Sequence, residues 1–156
     1  MNAYRGFVSA VGSVLLICAG CSETSMSKSD QNLYLQVIAR IKSGEIKTDG
    51  EKGIQPSAES TRLAQSASLP SDLQKVSSDG QIYIFRPSPS QLLVVFKTWQ
   101  GKGFNMEGWL YAAVPFGPHD TSKDAYGKSV VTLGPMDFAL EKPVNTNWYH
   151  VSYKLD

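Results

Sequence analysis

The chain has 156 residues, two of them cysteine, and its 15 basic residues nearly balance its 14 acidic residues, giving a formal net charge of +1 at pH 7. This length suits one domain with a tether, and the two signs of charge are interspersed along the sequence. Nucleic-acid binders carry a basic stripe, and polybasic membrane surfaces carry a basic cluster. The sequence therefore predicts neither nucleic-acid binding nor electrostatic attachment to a membrane.

The N-terminus opens with a short segment that carries one charge, Arg5, followed by an uncharged apolar run over residues 6–20. A membrane-spanning helix needs roughly 20 apolar residues, and this run is shorter and diluted by Gly and Ser. A basic start, an apolar middle and small residues at the end are the order of a secretory signal peptide. We therefore predict that residues 1–20 are a signal peptide.

Two small residues, Ala19 and Gly20, stand directly before Cys21. This arrangement resembles the lipobox of bacterial lipoproteins, in which small residues precede a cysteine that becomes the lipid-modified N-terminus; Cys18 stands where that family usually has Leu. The resemblance implies that Cys21 carries acyl chains, palmitate among them. Two alternatives stay open: an ordinary secretory signal that leaves Cys21 as a thiol, and an uncleaved membrane anchor.

Several acyl chains would anchor the protein stably, because each buried methylene contributes about 0.8 kcal/mol and one chain alone is marginal. In Gram-negative lipoproteins, a non-acidic residue such as Ser22 after the cysteine goes with the outer membrane. The resemblance thus implies a lipid-anchored protein of the bacterial cell envelope, in the outer membrane and facing the periplasm. Cleavage before Cys21 removes Cys18, so no disulfide is expected in the mature domain.

Residues 21–30 are small and polar, a composition typical of a flexible linker behind the lipid anchor. Residues 31–72 are expected to form a helical and loop segment. Apolar side chains recur at helical spacing over Gln31–Lys42, which predicts an amphipathic helix that packs on the body, and Gly44 is suited to end it. A short second helix is expected over residues 57–66.

Residues 73–156 contain all three Trp and most Tyr and Phe, and they predict a β-rich domain. The Asp79-Gly80 pair predicts a hairpin turn. Apolar and polar residues alternate along the last strand, which predicts one buried side and one solvent-exposed side. Six strands are predicted, over residues 81–86, 91–99, 106–114, 129–133, 136–141 and 147–155. The expected fold class is α+β, with the N-terminal helix packed on a mostly antiparallel β-meander of about six strands, either a sheet or a small open barrel.

Aromatic residues next to polar ones are the best candidates for a binding site, because Trp and Tyr combine a large apolar area with a polar group. Trp99 shares strand parity with Val95 and Lys97, which places it on the side expected to be wetter. Packing in the core remains the alternative for each aromatic residue. The candidate binding residues are Trp99, Lys102, Phe104, Trp109 and Tyr111.

No catalytic residue is predicted. The two histidines, His119 and His150, are far apart, and the sequence has no HExxH motif and no cysteine pair with metal-ligand spacing. A trio of Ser152, His150 and Asp137 can be drawn, but there is no nucleophile-elbow motif around the serine. We therefore expect a protein that is not an enzyme and that has no cofactor and no metal.

Two functional hypotheses follow. The first is a non-enzymatic envelope lipoprotein that binds another envelope protein or supports an assembly. The alternative is a periplasm-facing lipoprotein that binds a small molecule or a glycan through its aromatic residues. The exposure of those residues in the folded protein distinguishes a binding surface from core packing.

Lipid attachment at Cys21 can be tested by metabolic labelling. Labelled palmitate fed to expressing cells is expected to appear on the wild-type protein and to vanish in Cys21→Ala, because the thiol is the acylated group. Label that survives in the variant would contradict the lipobox prediction.

Overall fold

The computed structural model describes residues 26–48, 65–101, 105–134 and 136–153, which form one α-helix, one short 3-10 helix and eight β-strands. The fold class is α+β with an antiparallel sheet, as the sequence predicts. Within these ranges, no helix has the length and hydrophobicity of a membrane-crossing segment. Cys21, the predicted signal peptide and most of the predicted second helix lie outside the described residues.

Helix α1 spans Lys28–Lys42 and begins three residues earlier than expected. The reason is its N-cap: the Ser27 hydroxyl accepts the backbone N–H of Asp30 at 3.1 Å. The helix ends at Lys42, and Gly44 follows with φ of 77°. This left-handed conformation favours glycine, which explains why the helix stops there.

The eight strands form one sheet in the order β1-β2-β3-β4-β8-β7-β6-β5, in which every pair is antiparallel. The strands are β1 Gln65–Ser68, β2 Gln81–Ser88, β3 Gln91–Gln100, β4 Met106–Ala112, β5 Ser122–Lys123, β6 Ser129–Leu133, β7 Met136–Asn145 and β8 Trp148–Tyr153.

The expected number of about six strands is wrong, because short edge strands lie at both ends of the sheet. β1 has four residues and falls partly in the segment predicted as the second helix, and β5 has two residues inside a predicted loop. Neither carries an apolar alternation that could mark it as a strand. The Asp79-Gly80 hairpin is also absent: the chain before it forms a 3-10 helix, Gln74–Val76.

Both sides of the sheet are buried at its central strands, so the expectation that one side is exposed to solvent is wrong. On the side that faces α1, called here the helix side, Tyr34 packs against Phe96 of β3 and Trp148 of β8, with ring centroids 4.7 and 5.6 Å apart. On the opposite side, called here the inner side, the sheet packs on itself. Each side therefore needs its own apolar residues, and these alternate along the central strands.

The inner side is closed by curling of the sheet. Phe85 of β2 lies near one end of the strand order and Phe138 of β7 near the other, yet their rings meet edge to face with centroids 6.5 Å apart. Strands β2, β3, β4, β6, β7 and β8 all contribute to this inner core. Curling thus brings the ends of β2 and β6 towards each other across the inner side.

Candidate functional site

The predicted aromatic site is only partly available to a ligand. Trp99 is 52 % exposed, whereas Lys102 and Phe104 lie outside the described residues. Trp109 is 5 % exposed, and its ring packs on the imidazole of His150 with centroids 5.0 Å apart. Of the three described candidates, Trp99 alone presents a large free surface, because Tyr111 is also engaged.

Tyr111 belongs to the contact between α1 and the sheet. Its ring lies 5.1 Å from that of Trp148, and the Lys42 ammonium lies 5.9 Å from its centroid. These contacts join the ring to β8 and to α1, as expected for a residue between a helix and a sheet. Tyr111 and Trp109 therefore serve the packing of the helix side, the alternative that the sequence left open.

A β-bulge explains the position of Trp99. Lys97 pairs with Gly108, but Trp99 pairs with Glu107, so Thr98 is an extra residue and the alternation changes. A side chain at position 108 would overlap the carbonyl oxygen of Phe96, which makes glycine necessary opposite the bulge. The side expected to be wetter is instead buried: Lys97 is 4 % exposed.

A cavity of about 780 Å³ lies at the open end of the inner side, where β2 and β3 turn into each other and where β6 ends. This volume falls within the range of roughly 300–1,000 Å³ that is common for small-molecule sites. The lining residues are Phe85, Arg86, Pro87, Ser88, Ser90, Gln91, Leu93, Val114, Phe116, Asp120, Val131, Thr132, Leu133 and Gly134.

The apolar part of the cavity continues the inner core. Phe85, Leu93, Val131 and Leu133 are buried members of that core and also line the cavity. Phe116, from the loop between β4 and β5, packs on the Tyr149 ring with centroids 5.1 Å apart, and its N–H donates to the Tyr149 hydroxyl at 3.3 Å. Strands thus supply most of the apolar surface, and a held loop completes it.

The loop at the cavity mouth is fixed to β3 by a reciprocal pair of hydrogen bonds. The Gln91 side-chain amide donates to the Val114 carbonyl at 2.8 Å and accepts the Val114 N–H at 2.9 Å. Further along, the Asp120 carboxylate accepts the Gly117 N–H at 2.6 Å. These bonds leave Val114 and Phe116 facing the cavity in a defined position.

Among the described residues, Arg86 is the one basic residue that lines the cavity. It is exposed, and no hydrogen bond, ion pair or ring contact joins it to another residue in the described part of the chain. By contrast, the Ser88 and Ser90 hydroxyls bond to each other at 3.2 Å. The mouth of the cavity therefore offers a guanidinium group that no described residue engages and that can bind an anion.

Four residues along β3 from Leu93, the inner side holds a buried cation. The Lys97 ammonium pairs with the Asp79 carboxylate and lies 5.0 Å from the centroid of the Tyr83 ring. Burial opposes ionisation of Asp79, but the hydrogen bond from Lys97, the Gln81 N–H, the Lys97 charge and the Ser77 hydroxyl outweigh it and hold the pKa of Asp79 below its usual value. This ion pair closes the inner side away from the cavity.

The trio of Ser152, His150 and Asp137 is not assembled. The Ser152 hydroxyl donates to Glu141 at 2.7 Å, and Asp137 instead accepts a hydrogen bond from Thr132 at 2.7 Å. His150 Nε2 is buried without a hydrogen-bond partner among the described residues. The serine is thus bound to a carboxylate and not to the imidazole, the contact that a nucleophilic triad requires.

The hydrogen bond from Ser152 helps to lower the pKa of Glu141. Burial opposes ionisation of Glu141, but hydrogen bonds from Ser152 and Lys128, together with the positive charge of Lys128, lower the pKa of Glu141 below its usual value.

In the part of the chain that the structure describes, no group of three or more His, Cys, Asp or Glu side chains is placed to hold a metal ion.

Comparison with known proteins gave no match: no family model, no curated protein sequence and no solved structure is significantly similar to this chain.

Sequence reasoning missed the cavity because its residues come from three separate segments, 85–93, 114–120 and 131–134. Leu93, Phe116 and Val131 are far apart in the chain and meet only because the sheet curls. A partial signal was present: the run Leu92–Lys97 has no polar residue before its last position, and such continuous apolar runs indicate a strand buried on both sides. No comparable pattern in the sequence indicates which segments pack against this strand.

The Lys97–Asp79 pair can be tested by its effect on stability. Asp79→Asn is expected to lower the free energy of unfolding at pH 7 by about 1–3 kcal/mol, because it leaves the Lys97 ammonium buried and unpaired; the partial exposure of Asp79 keeps the loss below that of a fully buried pair. Denaturant unfolding measures this loss. Adding Lys97→Met is expected to restore most of it, whereas Asp72→Asn, at an exposed ion pair with Arg40, changes stability by less than about 1 kcal/mol.

The contribution of the Lys97–Asp79 pair to the free energy of unfolding should change with pH in a defined direction. Since the folded pKa of Asp79 lies below the unfolded value of about 3.9, the pair stabilises the fold above that pH and loses its contribution as the pH falls through the lowered pKa. The unfolding free energy of Asp79→Asn should therefore fall less steeply between pH 4 and the lowered pKa than that of the wild type. Equal slopes in the two proteins would contradict the stabilising role of the pair.

Proposed function

We propose that this chain is a membrane-anchored envelope lipoprotein without enzymatic activity, whose curled sheet binds an apolar or amphipathic small molecule in the cavity at its open end. The observation that carries the proposal is the cavity itself. Its apolar lining continues a packed core, while its mouth carries polar and charged side chains. Small-molecule sites in proteins combine these two features.

The residues that line the cavity are held in fixed positions, which favours a ligand-binding site over a packing defect in the core. Leu93 and Val131 come from the middle of paired strands, so their positions are fixed by backbone hydrogen bonds. The loop that carries Val114 and Phe116 is fixed through Gln91 and Tyr149. A site that exists before the ligand arrives avoids the free-energy loss of ordering the protein on binding.

The expected lipid anchor supports an amphipathic ligand. With Cys21 at the membrane surface, residues 22–27 could separate α1 from the bilayer by at most about 20 Å when fully extended. The domain would therefore stay close to a source of apolar and amphipathic molecules. Acylation of Cys21 in the outer membrane of a Gram-negative cell would provide this proximity.

The second candidate function is binding of another envelope protein. Among the described residues, two large aromatic side chains are exposed outside the cavity: Trp99 near the end of β3 and Tyr126, which is 90 % exposed, between β5 and β6. Exposed Trp and Tyr are frequent at protein interfaces. The cavity gives the small-molecule function the stronger geometric support, because it encloses a defined volume whereas these two residues offer single contacts.

Ligand binding in the cavity can be tested by blocking its mouth. Val114→Trp places a large side chain at an exposed position that lines the cavity, so it is expected to weaken binding of an apolar fluorescent probe at least about tenfold, because the probe and the indole compete for the same volume. The measurement is a fluorescence titration of the full-length protein in phosphatidylcholine nanodiscs, with empty nanodiscs as the blank.

The matched control is Val144→Trp, which makes the same change at an exposed position of β7 outside the cavity. It should bind the probe as the wild type does, and near-ultraviolet circular dichroism should show both variants folded. Equal probe binding by all three proteins, or no binding by the wild type, would contradict the proposed function and favour the protein-binding candidate.

A further inference from the structure

We infer that the cavity selects an amphiphile with an aliphatic chain and an anionic head group, a carboxylate or a phosphate, and that Arg86 binds this head group. The inference rests on the proposed function, since it requires that the cavity binds a ligand at all. It assigns the two parts of the ligand to two parts of the site. The chain occupies the apolar inner end, and the head group stays at the mouth.

The inner end of the cavity suits an aliphatic chain. Leu93, Val131 and Leu133 are almost completely buried, yet each borders the cavity, so a chain placed there contacts side chains that are already shielded from water. Transfer of each methylene group from water into such surroundings is favourable by about 0.8 kcal/mol. Polar ligands such as sugars would leave their hydroxyl groups without partners in this part of the site.

The charged residues at the mouth of the cavity determine which charge the head group of the ligand should carry. Two charged residues in the described part of the chain line the cavity, Arg86 and Asp120. Asp120 already accepts a short hydrogen bond from the Gly117 N–H, whereas Arg86 has no partner among the residues that the structure describes. A guanidinium group presents several N–H donors in a plane that match a carboxylate or a phosphate. An anion near Arg86 would thus gain hydrogen bonds without breaking any that the structure contains.

The neighbouring polar side chains strengthen this assignment because they are engaged. The Gln91 amide is held by Val114, and the Ser88 and Ser90 hydroxyls are bonded to each other. A cationic head group at the mouth would meet the like charge of Arg86. Arg86 is therefore the residue that distinguishes an anionic head group from a neutral one of the same chain length.

The experiment compares three ligands that share a ten-carbon chain: decanoate, decyl phosphate and decan-1-ol. Binding to the full-length protein in phosphatidylcholine nanodiscs is measured by displacement of the fluorescent probe, and empty nanodiscs correct for partition into the bilayer. The wild type is expected to bind the two anions about fivefold more tightly than the alcohol, the preference that one exposed ion pair provides. Raising the salt concentration should reduce this preference.

Arg86→Gln is expected to remove the preference for the anions while leaving the affinity for decan-1-ol unchanged, because the apolar lining stays intact. The matched control is Lys75→Gln, which removes an exposed positive charge from the 3-10 helix away from the cavity and should keep the fivefold preference. Arg86→Lys should retain part of it, since the charge remains but the planar pair of donors is lost.

The outcomes separate this inference from the function on which it rests. Equal affinity of the wild type for all three ligands, or a preference that survives Arg86→Gln, would overturn the role of Arg86 but leave a neutral apolar site. A preference for decyl phosphate alone would overturn recognition of carboxylates. Failure of all three ligands to displace the probe, or failure of the probe to bind, would overturn the proposed function itself.

Discussion

The structure depends on burial of both sides of the central strand. Six consecutive residues of β3, Leu92–Lys97, are almost completely shielded from water. Alternate side chains leave a strand on opposite sides, so Val94 and Phe96 pack towards α1 while Leu93 and Val95 pack into the inner core. A sheet with one apolar side could lie open to water on the other. This sheet must be covered twice, by a helix and by its own curling.

The curling explains where a ligand could bind. At one end of β3 the inner core is closed by the Lys97–Asp79 ion pair, and at the other end it opens into the cavity beside Leu93. The closed end carries a charge that is neutralised within the protein, whereas the open end carries Arg86 without a described partner. This asymmetry underlies both the proposed site and the proposed head-group preference. On the helix side, Tyr34 packs against Phe96 and Trp148.

Local patterns in the sequence predicted the α+β class, the helix and the central strands, because helical spacing and apolar runs are properties of single segments. Residues 129–133, for example, form β6 with the bounds expected. The edge strands β1 and β5 were missed because they are short and polar, and they exist through pairing with a neighbour. Trp109 and Tyr111 were candidate site residues, but their partners, His150 and Trp148, lie on a strand far away in sequence. Contacts between distant segments decided the site, and single-segment patterns do not contain them.

The proposed site places a ligand on the inner side of the sheet, whereas Tyr34 packs on the helix side. Nuclear Overhauser effects between decanoate and the methyl groups of an isotope-labelled full-length protein show which side the ligand contacts. We expect contacts from the chain of the ligand to the methyl groups of Leu93, Val131 and Leu133, which line the cavity. Contacts to Ile84 and Val94 on the helix side, or the absence of any methyl contact under saturating ligand, would contradict it.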